Sequence, residues 1–103
     1  MFGTFKRGAT LRGLLQFTDH EWETFWPWES LTADAKQGEL VHPLAVAVDP
    51  ESKTVLLSAS TDGWPLAAGM VDLLIIRSGI KTYLPAASNF TFTIIEPVTE
   101  EAE

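Results

Sequence analysis

The chain has 103 residues, 46% of them hydrophobic and 20% charged; fourteen acidic against seven basic residues leave a formal net charge of −7. That length suits one domain with one core, and the apolar content excludes a chain that is disordered throughout. No run approaches the roughly 20 apolar residues of a membrane span, and the few basic residues make too thin a footprint for nucleic acid.

Residues 1–12 carry Lys6, Arg7 and Arg12 with no acid. These charges interrupt the first apolar residues, so no secretory leader is expected. Leu11, Gly13, Leu15 and Phe17 alternate with Arg12, Leu14 and Gln16, which predicts a strand. Residues 19–29 then carry Asp19, Glu21, Glu23 and Glu29 with no Lys or Arg, and are expected to form a long aromatic loop. Residues 31–36 fit either a short strand or a helical turn.

From residue 44 the period is two. Leu44, Val46 and Val48 oppose Ala45 and Ala47, and Val55, Leu57 and Ala59 oppose Thr54, Ser58 and Ser60. Between them Asp49 to Lys53 supplies turn chemistry, giving a hairpin with a five-residue loop. A turn at residues 61–65 precedes a strand over Met70 to Arg77. Both faces of that strand are largely apolar, which predicts a central strand covered on both sides. Ser78-Gly79 reverses the chain into a strand over 80–84 that Pro85 ends. The last strand is expected over 89–96, with Phe90, Phe92 and Ile94 inward and Pro97 as its stop.

Six or seven short strands separated by Gly, Pro and Asp turns predict an all-β chain: a single antiparallel sandwich of immunoglobulin-like kind over residues 1–98, with 99–103 as an acidic tail. Trp64, followed by Pro65, is expected to plug the sandwich edge.

Candidate chemistry is sparse. His20 and His42 lie 22 positions apart, and the Asp19-His20-Glu21 triplet would point alternate side chains to opposite faces of a strand, so no metal centre is expected. Ser58 or Ser60 near His42 is conceivable as a nucleophile and base, but no nucleophile elbow surrounds either serine. The seven glycines are dispersed and form no phosphate loop. Cysteine is absent, which excludes thiolate chemistry and disulfides. The expectation is a non-enzyme with no cofactor. Asn89-Phe90-Thr91 matches a glycosylation sequon and is discounted because no leader is expected.

One constellation stands out. Residues 22–28 hold Trp22, Phe25, Trp26 and Trp28, three of the four tryptophans, fringed by acids. A small core cannot bury every ring by alternation, and clustered exposed aromatics mark binding sites. Three readings stay open: an anchor in a protein interface, which leads; a lid folded over one end of the domain; and a platform on which sugars stack while Asp19, Glu21 or Glu23 accept hydroxyl hydrogens. Lys6, Arg7 and Arg12 join the aromatic residues as partner-binding candidates, because a basic start and an acidic end attract each other between neighbouring copies.

From residue 40 onward the order of features resembles a known family. A strand ending Val48-Asp49-Pro50 is followed by a Thr54–Ser60 strand and a turn with Gly63-Trp64-Pro65 and Ala68-Gly69. An apolar strand with an internal Asp72 comes next, then Ser78-Gly79 and a Phe90 to Ile94 strand closing in Pro97-Val98-Thr99. This is similar to small β-sandwich domains of tailed bacteriophages, including those like the N-terminal domain of upper baseplate proteins; the start Lys6-Arg7-Gly8-Ala9-Thr10 is also similar. Residues 19–30 have no counterpart in that pattern. The resemblance implies a non-catalytic structural protein of a virion, assembled in the host cytoplasm. Its partners would be other virion proteins and further copies of itself, in the tail, baseplate, fibre-attachment or neck region. The alternatives are a carbohydrate-binding module for host-surface recognition and a capsid-surface decoration protein.

Overall fold

The computed structural model describes residues 3–85 and 90–98. Nine strands and one short helix follow in order: β1 (Gly3–Lys6), β2 (Thr10–Gln16), α1 (Asp19–Phe25), β3 (Ser30–Gln37), β4 (Leu40–Pro43), β5 (Ala45–Asp49), β6 (Thr54–Ser60), β7 (Ala68–Arg77), β8 (Ile80–Leu84) and β9 (Phe90–Ile95). The larger sheet has the order β1-β9-β7-β3-β4, with β8 also paired to β7, and the smaller has the order β2-β6-β5. The described residues are all-β apart from α1. Residues 99–103, expected as an acidic tail, and Asn89 of the sequon lie outside the described residues.

Alternation builds both sheets around a common core. Leu11 of β2 and Val55 and Leu57 of β6 are fully buried and face Ala33 and Ala35 of β3, Val71, Leu73 and Ile75 of β7, and Phe92 and Ile94 of β9. Burying a residue of this size contributes roughly 1.5–3 kcal/mol. The period-two pattern therefore sets the register, since a slip of one residue would turn every such side chain outward.

Several expectations need correction. Among the described residues there are nine strands rather than six or seven, because β1 and β4 are four-residue strands whose patterns are too short to read. Residues 31–36, which fit either a short strand or a helical turn, lie within the strand Ser30–Gln37. The arrangement is not wholly antiparallel, since β1 runs parallel to β9, pairing Gly3 with Phe92 and Lys6 with Ile95. The β5–β6 loop is four residues long, because Asp49 pairs with Thr54 inside the ladder. The long aromatic loop contains α1. Finally, β7 is central in its sheet but covered on one face only: Met70 is 50% exposed while Leu74 and Ile76 are partly buried. An apolar run on both faces does not by itself imply a layer on both faces.

The two edges of β7 differ. One pairs with β3 along Ser30–Lys36. The other is shared, with β9 along Ala68–Val71 and β8 along Leu73–Arg77, and the two partners divide at Asp72.

Two polar or small residues fix the far end of the molecule. Thr61 is completely buried, and its hydroxyl accepts from the Gly8 amide at 2.9 Å and donates to the Ala9 carbonyl at 2.6 Å. It thereby ties the β1–β2 turn to the β6–β7 connection and satisfies backbone groups that burial would otherwise leave unpaired. Gly69 is fixed by space: an added Cβ would run into Phe92 Cζ and lie 2.7 Å from the Lys36 carbonyl oxygen. A strand glycine at such a contact marks the close approach of a neighbouring ring. Replacing Gly69 with Ala forces Phe92 out of its place and should lower stability by about 1–3 kcal/mol, read as a drop in the urea midpoint with an unchanged slope.

Candidate functional site

The aromatic segment begins as a helix for a local reason. The Thr18 hydroxyl accepts from the Glu21 amide at 3.1 Å, and the Glu21 carboxylate accepts from the Thr18 amide at 2.8 Å, a reciprocal capping box. The Thr-x-x-Glu spacing was present in the sequence and is the signal that marks this helix. Asp19, in the first turn, pairs with Nζ of Lys53 in the neighbouring β5–β6 loop at 2.6 Å. That hydrogen bond and the lysine charge hold the Asp19 carboxyl below the usual carboxylate range, although the exposure of Asp19 keeps the pair weak.

The helix brings the rings together. Trp22 is buried and stacks on Trp26 at 5.0 Å with the planes 23° apart. Trp28 meets Trp22 edge-on at 5.4 Å and Trp26 edge-on at 4.8 Å, and Phe17 meets Trp22 edge-on at 5.8 Å. Such pairs contribute about 0.5–1.5 kcal/mol beyond area burial. Phe25, Trp26 and Trp28 are partly buried against the core. The Trp22–Trp26 stack occupies one face of each ring.

Arg77, at the end of β7, holds this segment in place, and nothing in its local pattern marks that role. Its Nη1 lies within hydrogen-bond reach of the carbonyls of Glu23 at 3.1 Å, Thr24 at 2.7 Å and Trp26 at 3.1 Å. A guanidinium there meets the orphan carbonyls and the negative dipole end of α1, a helix with no basic residue in its last turn. The following residues are fastened too, by the Glu29 amide to the Ile76 carbonyl at 2.7 Å and by the Gly79 amide to the Glu29 carboxylate at 3.2 Å.

The basic candidates lie elsewhere. Lys6 and Arg7 are exposed at the β1–β2 turn, at the end opposite α1, while Arg12 is exposed on the outer face of the smaller sheet. The structure therefore brings Trp22, Phe25, Trp26 and Trp28 into one cluster but does not join the basic residues to it.

His42 sits in β4 with its ring stacked on Trp64 at 3.9 Å and 10°, and Trp64 is itself buried at the sheet edge. Gln37 is buried and its Nε2 donates to the Pro65 and Ala67 carbonyls, so its Oε1 is the atom that accepts from His42 Nε2 at 3.0 Å. This fixes the neutral tautomer with the hydrogen on Nε2. Ser58 and Ser60 belong to β6 in the other sheet, where Ser60 Oγ donates to Asp62 at 2.9 Å. No cluster of three His, Asp or Glu side chains able to hold a metal occurs among the described residues.

The feature that sequence reasoning missed is the outer face of the larger sheet. Tyr83 is 57% exposed there beside Leu74, and Val41, also 57% exposed, lies on the far side of Lys36 from Met70. At its middle Asp34 and Asp72 stand directly opposite each other on neighbouring strands. A groove of about 250 Å³ opens at this place, lined by Asp34, Lys36, Val41, Met70, Val71 and Asp72. Only the cross-strand register reveals it, and nothing in the local pattern gives that register.

No known protein family matches this chain. No curated protein matches it either. The likeness found is one of fold. The crystal structure of Listeria monocytogenes InlP matches with a TM-score of 0.57 at 15% identity, over 89% of this chain and 25% of that one. A second Listeria monocytogenes internalin-like protein matches with a TM-score of 0.53 at 7% identity, over 89% of this chain and 27% of that one. The chain thus spans about a quarter of the length of each.

Two outcomes test the site. Replacing Arg77 with Met should lower stability by about 1.5–3 kcal/mol, the worth of a charged hydrogen bond, and should red-shift tryptophan emission as α1 loosens; an unchanged spectrum would remove Arg77 as the clamp. Burial holds the His42 pKa below its ordinary value. The unfolded chain then binds the extra proton more readily, so stability is full above about pH 6.5 and declines as pH falls below it toward the folded pKa. In urea titrations His42→Gln should flatten that decline.

Proposed function

We propose that this chain is a non-catalytic assembly module that docks to neighbouring protein subunits, further copies of itself included. The observation that carries this is the outer face of the larger sheet. That face keeps Tyr83 more than half exposed beside the partly buried Leu74, and Val41 and Met70 exposed on the other side of Asp34 and Asp72, so apolar area flanks a charged centre and offers a surface for subunit association.

The strand order supports reading the two sheets as an immunoglobulin-like sandwich. Strands β2, β6 and β5 correspond to the B, E and D positions of that arrangement, and β9, β7, β3 and β4 to G, F, C and C′, with the β8 hairpin added. The setting in a bacteriophage particle rests on the sequence resemblance alone. The solved structures of similar fold are Listeria proteins, and at their low identity they speak only to fold.

The aromatic segment takes a different part in this reading from the one its composition suggests. Trp22 and its neighbours stabilise the end of the domain, and the docking surface is the sheet. Self-docking appears in sedimentation equilibrium as a mass that rises with concentration. Replacing Val41 and Tyr83 together with Thr keeps strand propensity and removes apolar area. That variant should associate at least about tenfold more weakly while its circular dichroism stays that of the wild type. A wild-type chain that remains monomeric at every concentration would overturn self-docking.

A further inference from the structure

The strands that end a sheet differ in how well they are guarded. Among the described residues β1, β2, β4, β5 and β8 each pair on one side only. An open edge invites a further strand, and folded chains discourage this with charge, proline or a bulge. β1 is four residues long and ends in Lys6, β4 is four residues long and ends in Pro43, β2 carries Arg12 and β8 carries Lys81. β5 reads Ala45-Val46-Ala47-Val48-Asp49, with its one charge at the very end and no proline. Its ladder to β6 runs unbroken from Ala45–Ser58 to Asp49–Thr54, so it holds no bulge.

The flank of β5 is open as well as unguarded. Val46 and Val48 pack against the core yet stay partly exposed, while Ala45 and Ala47 are exposed on the outer face of the smaller sheet. β4, which precedes β5, pairs in the other sheet with Asp34 to Gln37 of β3 and leaves no strand alongside. Both ends of β5 also carry stops. The Leu44 amide is given to the Ala33 carbonyl at 3.0 Å, and Pro50 has no amide to give.

We infer that β5 pairs antiparallel with β5 of a second copy about a two-fold axis at Ala47, joining the two smaller sheets into one of six strands. In this register Ala47 faces Ala47, Val46 faces Val48, and Ala45 faces Asp49 of the second copy. Leu44 then falls opposite Pro50, so the two positions without a free N–H meet each other and the ladder ends there. The two Asp49 residues stand roughly 14 Å apart along the strands, and no like charges oppose. Leu14, Leu56 and Ala47 already form one cross-strand row, and the axis continues that apolar row into its own copy. Strand addition supplies main-chain hydrogen bonds, and the valines cover each other. The contact is isologous and closes at two copies. It uses a different surface from the outer face of the larger sheet, so a chain with both contacts assembles beyond the dimer.

The test is sedimentation velocity on the full chain carrying Val41→Thr and Tyr83→Thr, which removes outer-face docking. That background should still form dimers and nothing larger. Adding Ala47→Lys, or separately Ala47→Glu, sets like charges face to face at the axis and should weaken the dimer about fivefold or more. Mixed in equal amounts, the two variants should recover it as a heterodimer. Ala45→Lys meets Asp49 of the second copy instead and should hold or tighten the dimer, so two lysines two residues apart act in opposite directions. Both side chains are exposed, so urea midpoints should stay near that of the background. A dimer unmoved by Ala47→Lys, or a mixture that fails to recover it, overturns the β5 contact. A monomeric background beside an associating wild type also overturns it and leaves outer-face docking standing. Association untouched by the background changes but lost on Ala47→Lys does the reverse. A wild type that never associates overturns both.

Discussion

The register of β7 is the constraint on which the rest of this structure depends. Val71, Leu73 and Ile75 are essentially without solvent exposure, and a shift of one residue would place Asp72 in their layer, where an unpaired carboxylate is far more costly than any gain from moving. Once that register is set, three neighbours take their positions from it. β3 pairs along almost the whole strand, and β9 and β8 divide the opposite edge between them. Gly69 then accommodates the Phe92 ring at one end, and Arg77 meets the carbonyls of α1 at the other.

Because one strand carries both ends, the aromatic segment and the buried core are not independent. Arg77 is only two residues beyond Ile75, so a stable core holds the guanidinium where α1 ends. The capping box at Thr18 fixes where α1 starts, and the ring contacts of Trp22, Trp26 and Trp28 fill the space between. Clustered tryptophans in a sequence invite a binding role. Here most of their area contacts other rings or the core.

The parts of the fold legible in the sequence are those with period-two alternation over five or more residues. β2, β5, β6, β7 and the inward Phe90, Phe92 and Ile94 of β9 are of this kind, because side-chain direction in a strand is a local property. The short strands were not legible. β1 has four residues and gains its place from a parallel partner nearly ninety positions away, a non-local pairing that no window contains. The α1 helix is legible through the Thr18 and Glu21 capping pair, although the tryptophan cluster that follows them suggests a loop. The groove was not legible at all: Asp34 and Asp72 are unremarkable in their own segments, and only the β3–β7 pairing sets them face to face.

The parallel pairing of β1 with β9 has a mechanical consequence. Both strands run in the same direction side by side, so tension applied through residues before β1 and after β9 pulls the two strands past each other along their length. The evenly spaced hydrogen bonds of a parallel pair then bear load together instead of opening one at a time. A domain tied in this way resists being drawn out by its ends and yields only when the whole ladder slides, a useful property for any module that transmits force along a chain of linked subunits.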